Sequence, residues 1–321
     1  MSVPNNISEL IGSKYEEAVN NKHIEFVESA STKVTDKETG MKYIVSFTPS
    51  LNKKPERADT ENSNKDPFAE LEPELTVLNN LTGNGRYKLV LNKFPITPGH
   101  SLLVTNEFEH QTSALTPEDL ITAYRIVSKL DKNNDERHIA FYNSGVLSGS
   151  SQDHKHLQVL KLPKNFLTLQ DSLTSGRNHF IPTTREEPLQ NENVSFAHFA
   201  VPLPASSQDV DEDLLAMCYI SMLQRALTFF QDWAEEKPEL KDSRSYNVII
   251  TKNWMSVVPR SSTHAKSMNI GFNATAYTGL VLVKQQEVYD RIQSNPSILN
   301  KVLLECGFPS TAGEKTNEYN Y

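Results

Sequence analysis

The sequence predicts an α+β protein. Short runs with period-two alternation recur between turns marked by Gly and Pro, as strands do. Two stretches read as helices: Thr116 to Asp131 by its amphipathic spacing, and Asp211 to Glu235 as a long helix with an acidic start. The order strand, strand, helix, strand, strand in the first half is followed by a similar order in the second. The two halves scarcely match in sequence, so repeated order alone is a weak sign of two related units.

Taken in turn, Ile7 to Val19 sets Ile7, Leu10, Ile11, Tyr15 and Ala18 on one helical face, with Ser8 as the expected cap. Strands are expected at Ile24 to Glu28 and Tyr43 to Thr48. Asn52 to Pro67 is polar and reads as a mobile loop. Tyr87 to Asn92 and Ser101 to Thr105 alternate as strands around a turn set by Pro95, Pro98 and Gly99. Thr116 caps a helix with Pro117 at its first position, and Leu120, Ala123, Ile126, Val127 and Leu130 form its buried face. Strands Ile139 to Tyr142 and His154 to Leu162 close this unit. In the second half, strand Ser195 to Leu203 precedes the helix from Asp211, whose acidic start suits its dipole. Strands at Tyr246 to Thr251, Met255 to Val258 and Tyr277 to Lys284 follow, then one or two helices from Gln285 and a polar end.

The 321 residues suffice for a sizeable core, and 37% hydrophobic with 22% charged residues is an ordinary globular balance. A net charge of −8, from 32 basic against 40 acidic residues, argues against a general nucleic-acid binder. A few local cations still suffice to hold a small anion. Two Cys suggest no disulfide framework and a reducing compartment. The N-terminus lacks a basic region followed by an apolar run, and Leu214 to Leu223 is too short to span a bilayer. The expectation is a cytoplasmic protein, with the nucleus left open, and no membrane partner.

The chemistry centres on residues 143–162. A loop rich in Gly and Ser precedes His154, His156 and Gln158, and on a strand these three share one face. A metal pair and a solvated sheet face are the plain alternatives. A metal site wants further ligands, and Cys218 and Cys306 have no paired spacing. A solvated face leaves Gly149, Ser150 and Ser151 unexplained. A phosphate-handling site is the reading preferred.

His-x-His-x-Gln after a Ser/Gly loop resembles the active-site motif of the histidine triad superfamily, in the nucleotidyltransferase branch where Gln replaces the third His. Asn92 to Pro95, Pro98 to His100 with Leu102 to Val104, Asn143 to Gly145, and Trp254, Met255 and Val258 to Arg260 extend the likeness. Together they look like the fungal diadenosine tetraphosphate phosphorylases over nearly the whole chain. The resemblance implies two related histidine-triad-like halves, antiparallel sheets with flanking helices, in a single compact unit. Residues 1–165 would hold the chemistry and 166–321 would complete the substrate pocket.

It also implies roles. His156 attacks the α-phosphorus and carries an adenylyl group; a neutral imidazole, with a pKa of about 6.5, both attacks and leaves near neutrality. Its other ring nitrogen should donate to a fixed acceptor such as a backbone carbonyl. His154 orients, or is simply structural, and Gln158 donates its amide to a phosphoryl oxygen. Gly149, Ser150, Ser151 and Gln152 present donors to phosphate. By resemblance Lys54 reaches the polyphosphate, and Asn92, Lys93 and Asn143 contact nucleotide and phosphate. Asn273, Ala274, Thr275, Leu280 and Lys284 form the remaining binding segment. His23, His100, His110, His138, His179, His198 and His264 receive no catalytic role, and His100 is expected to pack.

The implied reaction is phosphorolysis of diadenosine tetraphosphate to ATP and ADP, with reversal, phosphate exchange on ADP and sulfate in place of phosphate as further activities. The rivals are a uridylyltransferase acting on sugar phosphates, a dinucleotide hydrolase, and a nucleotide-binding regulator without turnover. No cofactor and no metal site is required, a divalent cation is left open, the partners are small nucleotides, and a monomer is expected.

Overall fold

The computed structural model describes residues 2–24, 26, 29–49, 66–132, 136–182, 186–236, 238 and 244–313. Helix α1 (Ile7–Asn20) buries Ile7, Ile11 and Ala18, and it starts from Asn6 with no side-chain cap rather than from Ser8. The strand expected at 24–28 lies partly outside the described residues, and the loop at 52–67 almost wholly outside them. The antiparallel partner of β2 (Lys42–Phe47) is β1 (Ala30–Thr35), whose Ser, Thr and Lys residues hid it from an apolar pattern.

The first half continues with β3 (Thr76–Leu78), β4 (Tyr87–Leu91), β5 (Ser101–Thr105), helix α2 (Pro117–Leu130), β6 (His138–Ser144), β7 (His156–Lys161) and the short helix α3 (Leu169–Thr174). The second holds β8 (Phe199–Pro202), α4 (Glu212–Glu236), β9 (Ser245–Ile250), β10 (Trp254–Arg260), a two-stranded hairpin of β11 (His264–Ala265) and β12 (Ile270–Gly271), then β13 (Leu280–Val283), α5 (Gln286–Ser294) and α6 (Ile298–Leu304). Helix α2 opens with a capping box: the Thr116 side chain accepts the Asp119 N–H and the Asp119 carboxylate accepts the Thr116 N–H. Removing such a cap costs about 1 kcal/mol. The predicted strands at 195–203 and 277–284 are shorter than expected, because β8 begins at Phe199 and a 3-10 turn at Ala274–Thr278 precedes β13.

Eight strands form one antiparallel sheet in the order β3-β4-β5-β7-β6-β9-β10-β8. Its registers reveal the relation between the halves. Phe141 on β6 faces Ile249 on β9. Outward from this pair, Phe141 faces Gln158, which faces Leu102. On the other side Ile249 faces Ser256, which faces Ala200. Strand, helix, strand, strand thus recurs as β5-α2-β6-β7 and β8-α4-β9-β10 about a local twofold between β6 and β9.

One face of this sheet packs on α2 and α4 through Leu103, Leu157, Val159, Val248, Ile250 and Val257. Across the other face Ile139, Phe141, Leu160, Ile249 and Trp254 meet Ile44, Ala274 and Leu280. Those last belong to a smaller layer in which β13 runs parallel to β2 and α5 and α6 cover the far side. Truncating Phe141 to Ala at this junction would cost about 3–5 kcal/mol. Among the described residues, no helix is long and apolar enough to cross a membrane.

Candidate active site

Strand β7 begins at His156, two residues later than expected, because residues 153–155 pair with Glu109–Gln111 instead of with β6. Lys155 N–H donates to the Glu109 carbonyl, Gln111 N–H donates to the Asp153 carbonyl, and His110 and His154 form an isolated bridge. The shared face nevertheless holds. Phe68 lies against both rings, with centroids 5.7 Å from His154 and 5.2 Å from His156, and Gln158 continues the same side into the cleft.

The His156 ring is oriented as its chemistry requires. Nδ1 lies 2.8 Å from the His154 carbonyl and can only donate to it, so the lone pair is on Nε2. His154 acts here through its backbone; its buried ring places Nδ1 2.7 Å from the Asp66 carboxylate and Nε2 2.8 Å from the Thr105 carbonyl. Beneath the strand, the buried Lys155 ammonium pairs with Asp119 at 2.6 Å and with Glu109 at 3.1 Å. Burial raises the Asp119 carboxyl, but Lys155, the Tyr87 hydroxyl and the Thr116 N–H outweigh it and hold the group below the usual carboxylate range.

His100 does more than pack. Its Nε2 lies 3.0 Å from Gln158 Oε1, an acceptor, so Nε2 carries the proton of that bond. With its oxygen engaged, Gln158, a lining residue of the cleft, keeps its NH2 group as the end that can donate. The sequence held one clue, the position of His100 directly after Pro98 and Gly99.

The Ser/Gly loop is seated against the second half. Gly149 has φ +89°, and a Cβ there would lie 2.7 Å from the Phe272 carbonyl and 2.9 Å from the Asn273 Cβ, so only Gly permits this approach. The loop is fixed from below by Arg260, which is fully buried and satisfies all five of its N–H groups with carbonyl oxygens. Nε donates to Cys306, Nη1 to Ser148 and the Asn247 side chain, and Nη2 to Ser262 and Phe272. The guanidinium also lies over the Tyr277 ring, 4.8 Å from its centroid.

A cleft of about 660 Å³ opens where the halves meet. Of the predicted site residues, Asn92, Gly149, Ser150, Ser151 and Gln158 line it from the first half. Asn273, Thr275, Leu280 and Lys284 line it from the second, with His100 and the apolar Phe94, Ile96 and Phe272 beside them. His156 lies just beyond this lining, buried under Phe68. Gln152 lies outside the lining, and its carbonyl accepts the Ser150 hydroxyl.

Two residues expected at the substrate are engaged by neighbours in this structure. Lys93 pairs at 2.6 Å with Glu72, both half exposed, so its ammonium is engaged at the surface. Asn143 is buried, and its Oδ1 accepts the Asn247 amide at 2.8 Å and the Ala274 N–H at 3.2 Å. Asn143 and Ala274 therefore tie the halves together behind the cleft. Lys54 lies outside the described residues. Sequence reasoning missed Gln111, Asn247 and the role of Arg260, although Arg260 stands in a segment that carried the family likeness.

Among the described residues no cluster of three or more His, Cys, Asp or Glu could hold a metal ion. Burial pushes the Cys218 thiol up to about 12 and the Cys306 thiol up to about 11, which leaves both poor metal ligands and poor nucleophiles.

Two family models match the chain: the Ap4A phosphorylase N-terminal domain over residues 1–175 and the ATP adenylyltransferase C-terminal domain over residues 192–309. Protein APA1 of Saccharomyces cerevisiae is 55% identical over 324 residues, covering 100% of both chains. Diadenosine 5',5'''-P1,P4-tetraphosphate phosphorylase 2 of the same yeast is 51% identical over 328 residues, covering 99% of this chain and 100% of that one. The crystal structure of yeast Ap4A phosphorylase Apa2 in complex with Ap4A matches with a TM-score of 0.87 at 47% identity, over 97% of this chain and 100% of that one.

Proposed function

The chain belongs to the Ap4A phosphorylase family, and from that premise we propose that it phosphorolyses diadenosine tetraphosphate to ATP and ADP through an adenylyl group carried on His156. In the first step the Nε2 lone pair attacks the α-phosphorus. A P–N bond forms, the P–O bond to the leaving ATP breaks, and the proton on Nδ1 stays in its bond to the His154 carbonyl. In the second step an oxygen of inorganic phosphate attacks the same phosphorus, the P–N bond breaks, and ADP leaves with the neutral imidazole restored.

Charge builds on the non-bridging oxygens in both steps. The NH2 end of Gln158, whose oxygen is held by His100, donates to them. Gln158 supplies no proton to the leaving group, and a polyphosphate needs none to depart. The Ser150–Ser151 turn and Lys284 hold the remaining phosphates, and Phe94, Ile96 and Phe272 offer apolar surface to a base. The observation that carries this reading is the bond from His156 Nδ1 to the His154 carbonyl, which fixes the nucleophilic tautomer on the strand face that Gln158 carries into the cleft.

Nucleotide chromatography tests it. ATP and ADP should accumulate over many turnovers from diadenosine tetraphosphate only when inorganic phosphate is present, and His156→Asn should lower turnover by on the order of 10⁴-fold or more, as loss of a nucleophile does. ATP and AMP formed regardless of phosphate would make the protein a hydrolase and defeat the proposal.

A further inference from the structure

We propose that Gln111 is the positioning residue of the His156 nucleophile, its side-chain amide standing in for a rung of the β-ladder at the mouth of the β6–β7 loop. The proposal deepens the reading of His156 as the nucleophile and rests on it.

Strands β6 and β7 pair as far as Phe141 and Gln158. Two residues further along, Asn143 and His156 come opposite each other. In the second half the equivalent position closes directly: Thr251 N–H donates to the Trp254 carbonyl at 2.9 Å, and Trp254 N–H donates to the Thr251 hydroxyl at 3.0 Å. In the first half the Gln111 amide is inserted between the strands. His156 N–H donates to Gln111 Oε1 at 2.8 Å, and Gln111 Nε2 donates to the Asn143 carbonyl at 3.0 Å and to the His156 carbonyl at 3.1 Å. One acceptor site and both donors of the amide are thereby used, and the residue is buried.

This insertion has two consequences. It spaces β6 from β7 so that residues 145–155 can leave as a wide Ser/Gly loop instead of a tight turn. It also clamps the backbone of His156 at both its N–H and its C=O. The imidazole takes its orientation from a bond to the carbonyl two residues back, so any rotation of the 154–156 backbone swings Nε2 away from the phosphorus. Gln111 is in turn fixed by its own N–H on the Asp153 carbonyl, 2.7 Å, and by the Tyr142 hydroxyl, which donates to its carbonyl at 2.5 Å. A nucleophile displaced by about 1 Å loses on the order of 100-fold in rate.

Gln111→Glu keeps the shape but turns a carboxylate oxygen onto two carbonyls; Gln111→Met removes every polar contact of the side chain. For both, single-turnover adenylylation and kcat should fall on the order of 100-fold, with KM for diadenosine tetraphosphate within about threefold of wild type and any label still on His156. Tyr142→Phe, which loosens only the support, should give the same split with a loss of about threefold to tenfold, and it decides the matter if neither Gln111 variant folds. Unchanged kcat in the variants, or a loss confined to KM, would overturn the positioning role while leaving the nucleophile intact. A label on another residue in the wild-type protein would overturn the nucleophile itself.

Discussion

The two halves of the sheet share a strand, helix, strand, strand unit and its register, and they part company at the strand ends by the cleft. Where β7 presents His156 and Gln158, the equivalent positions on β10 carry Trp254 and Ser256, both buried. Trp254 donates to Asp171 at 2.8 Å and Ser256 to the Phe199 carbonyl at 2.8 Å, which are internal structural bonds. The β9–β10 connection is a tight turn, whereas the β6–β7 connection is the Ser/Gly loop.

The histidines repeat the lesson. His198 bonds the carbonyl two residues back through Nδ1, as His156 does, at 2.9 Å to Phe196. Its Nε2, however, accepts the Asn191 N–H at 2.8 Å, and full burial pushes its pKa down to about 4. The same local bond serves a structural histidine at 198, where Nε2 is committed to a backbone N–H, and under the proposed function it orients the nucleophile at 156. Chemistry here is a property of what a strand end opens onto.

Variants that break this division should rank as follows. Arg260 holds the second half against the Ser/Gly loop, and Arg260→Leu strands five carbonyl acceptors. It should destabilise the fold by about 3–5 kcal/mol, read as a lower midpoint in urea. Gln158→Ala removes a donor to the transition state and should lower kcat on the order of 10²–10³-fold with little change in stability. Ser256→Ala, its counterpart, should leave turnover within about twofold and cost at most about 1 kcal/mol of stability.

The buried His198 makes stability depend on pH. The unfolded chain takes up its proton near pH 6.5, and the folded protein resists it down to about 4. Between these values the unfolded state binds more protons, so this contribution is complete above pH 6.5 and lost as pH falls toward 4, by about 3 kcal/mol at most. Thermal melts across that window should show the slope, and His198→Met should flatten it. The smallest effect belongs to Lys93→Ala, which breaks an exposed pair and should change stability by about 0.5 kcal/mol or less and turnover by less than about threefold. A larger loss of turnover would return Lys93 to the substrate.

How much of this was legible depends on whether a feature is local. The shared face of His154, His156 and Gln158 follows from strand alternation, and the cap at Thr116 from four consecutive residues, so both were read from the chain. Gln111 acts on a residue 45 positions away and Arg260 on a carbonyl 112 positions away, distances no local pattern spans. The partners of Lys93 and Asn143 were hidden for a related reason. The sequence put them at the right strand ends, but Glu72 and Asn247, remote in the chain, decide where their side chains point. The start of β7 shifted because its preceding residues found partners in Glu109 and Gln111, a pairing that depends on the completed sheet.

The central claim is that His156, and no other residue of either half, carries the transferred nucleotidyl group. Its most direct test is to mix the protein with diadenosine tetraphosphate without phosphate, quench, digest and locate the adenylyl group by peptide mass spectrometry. The account predicts a single adduct on His156 that disappears as ADP when phosphate is added. No adduct, or one on any other residue, would contradict it.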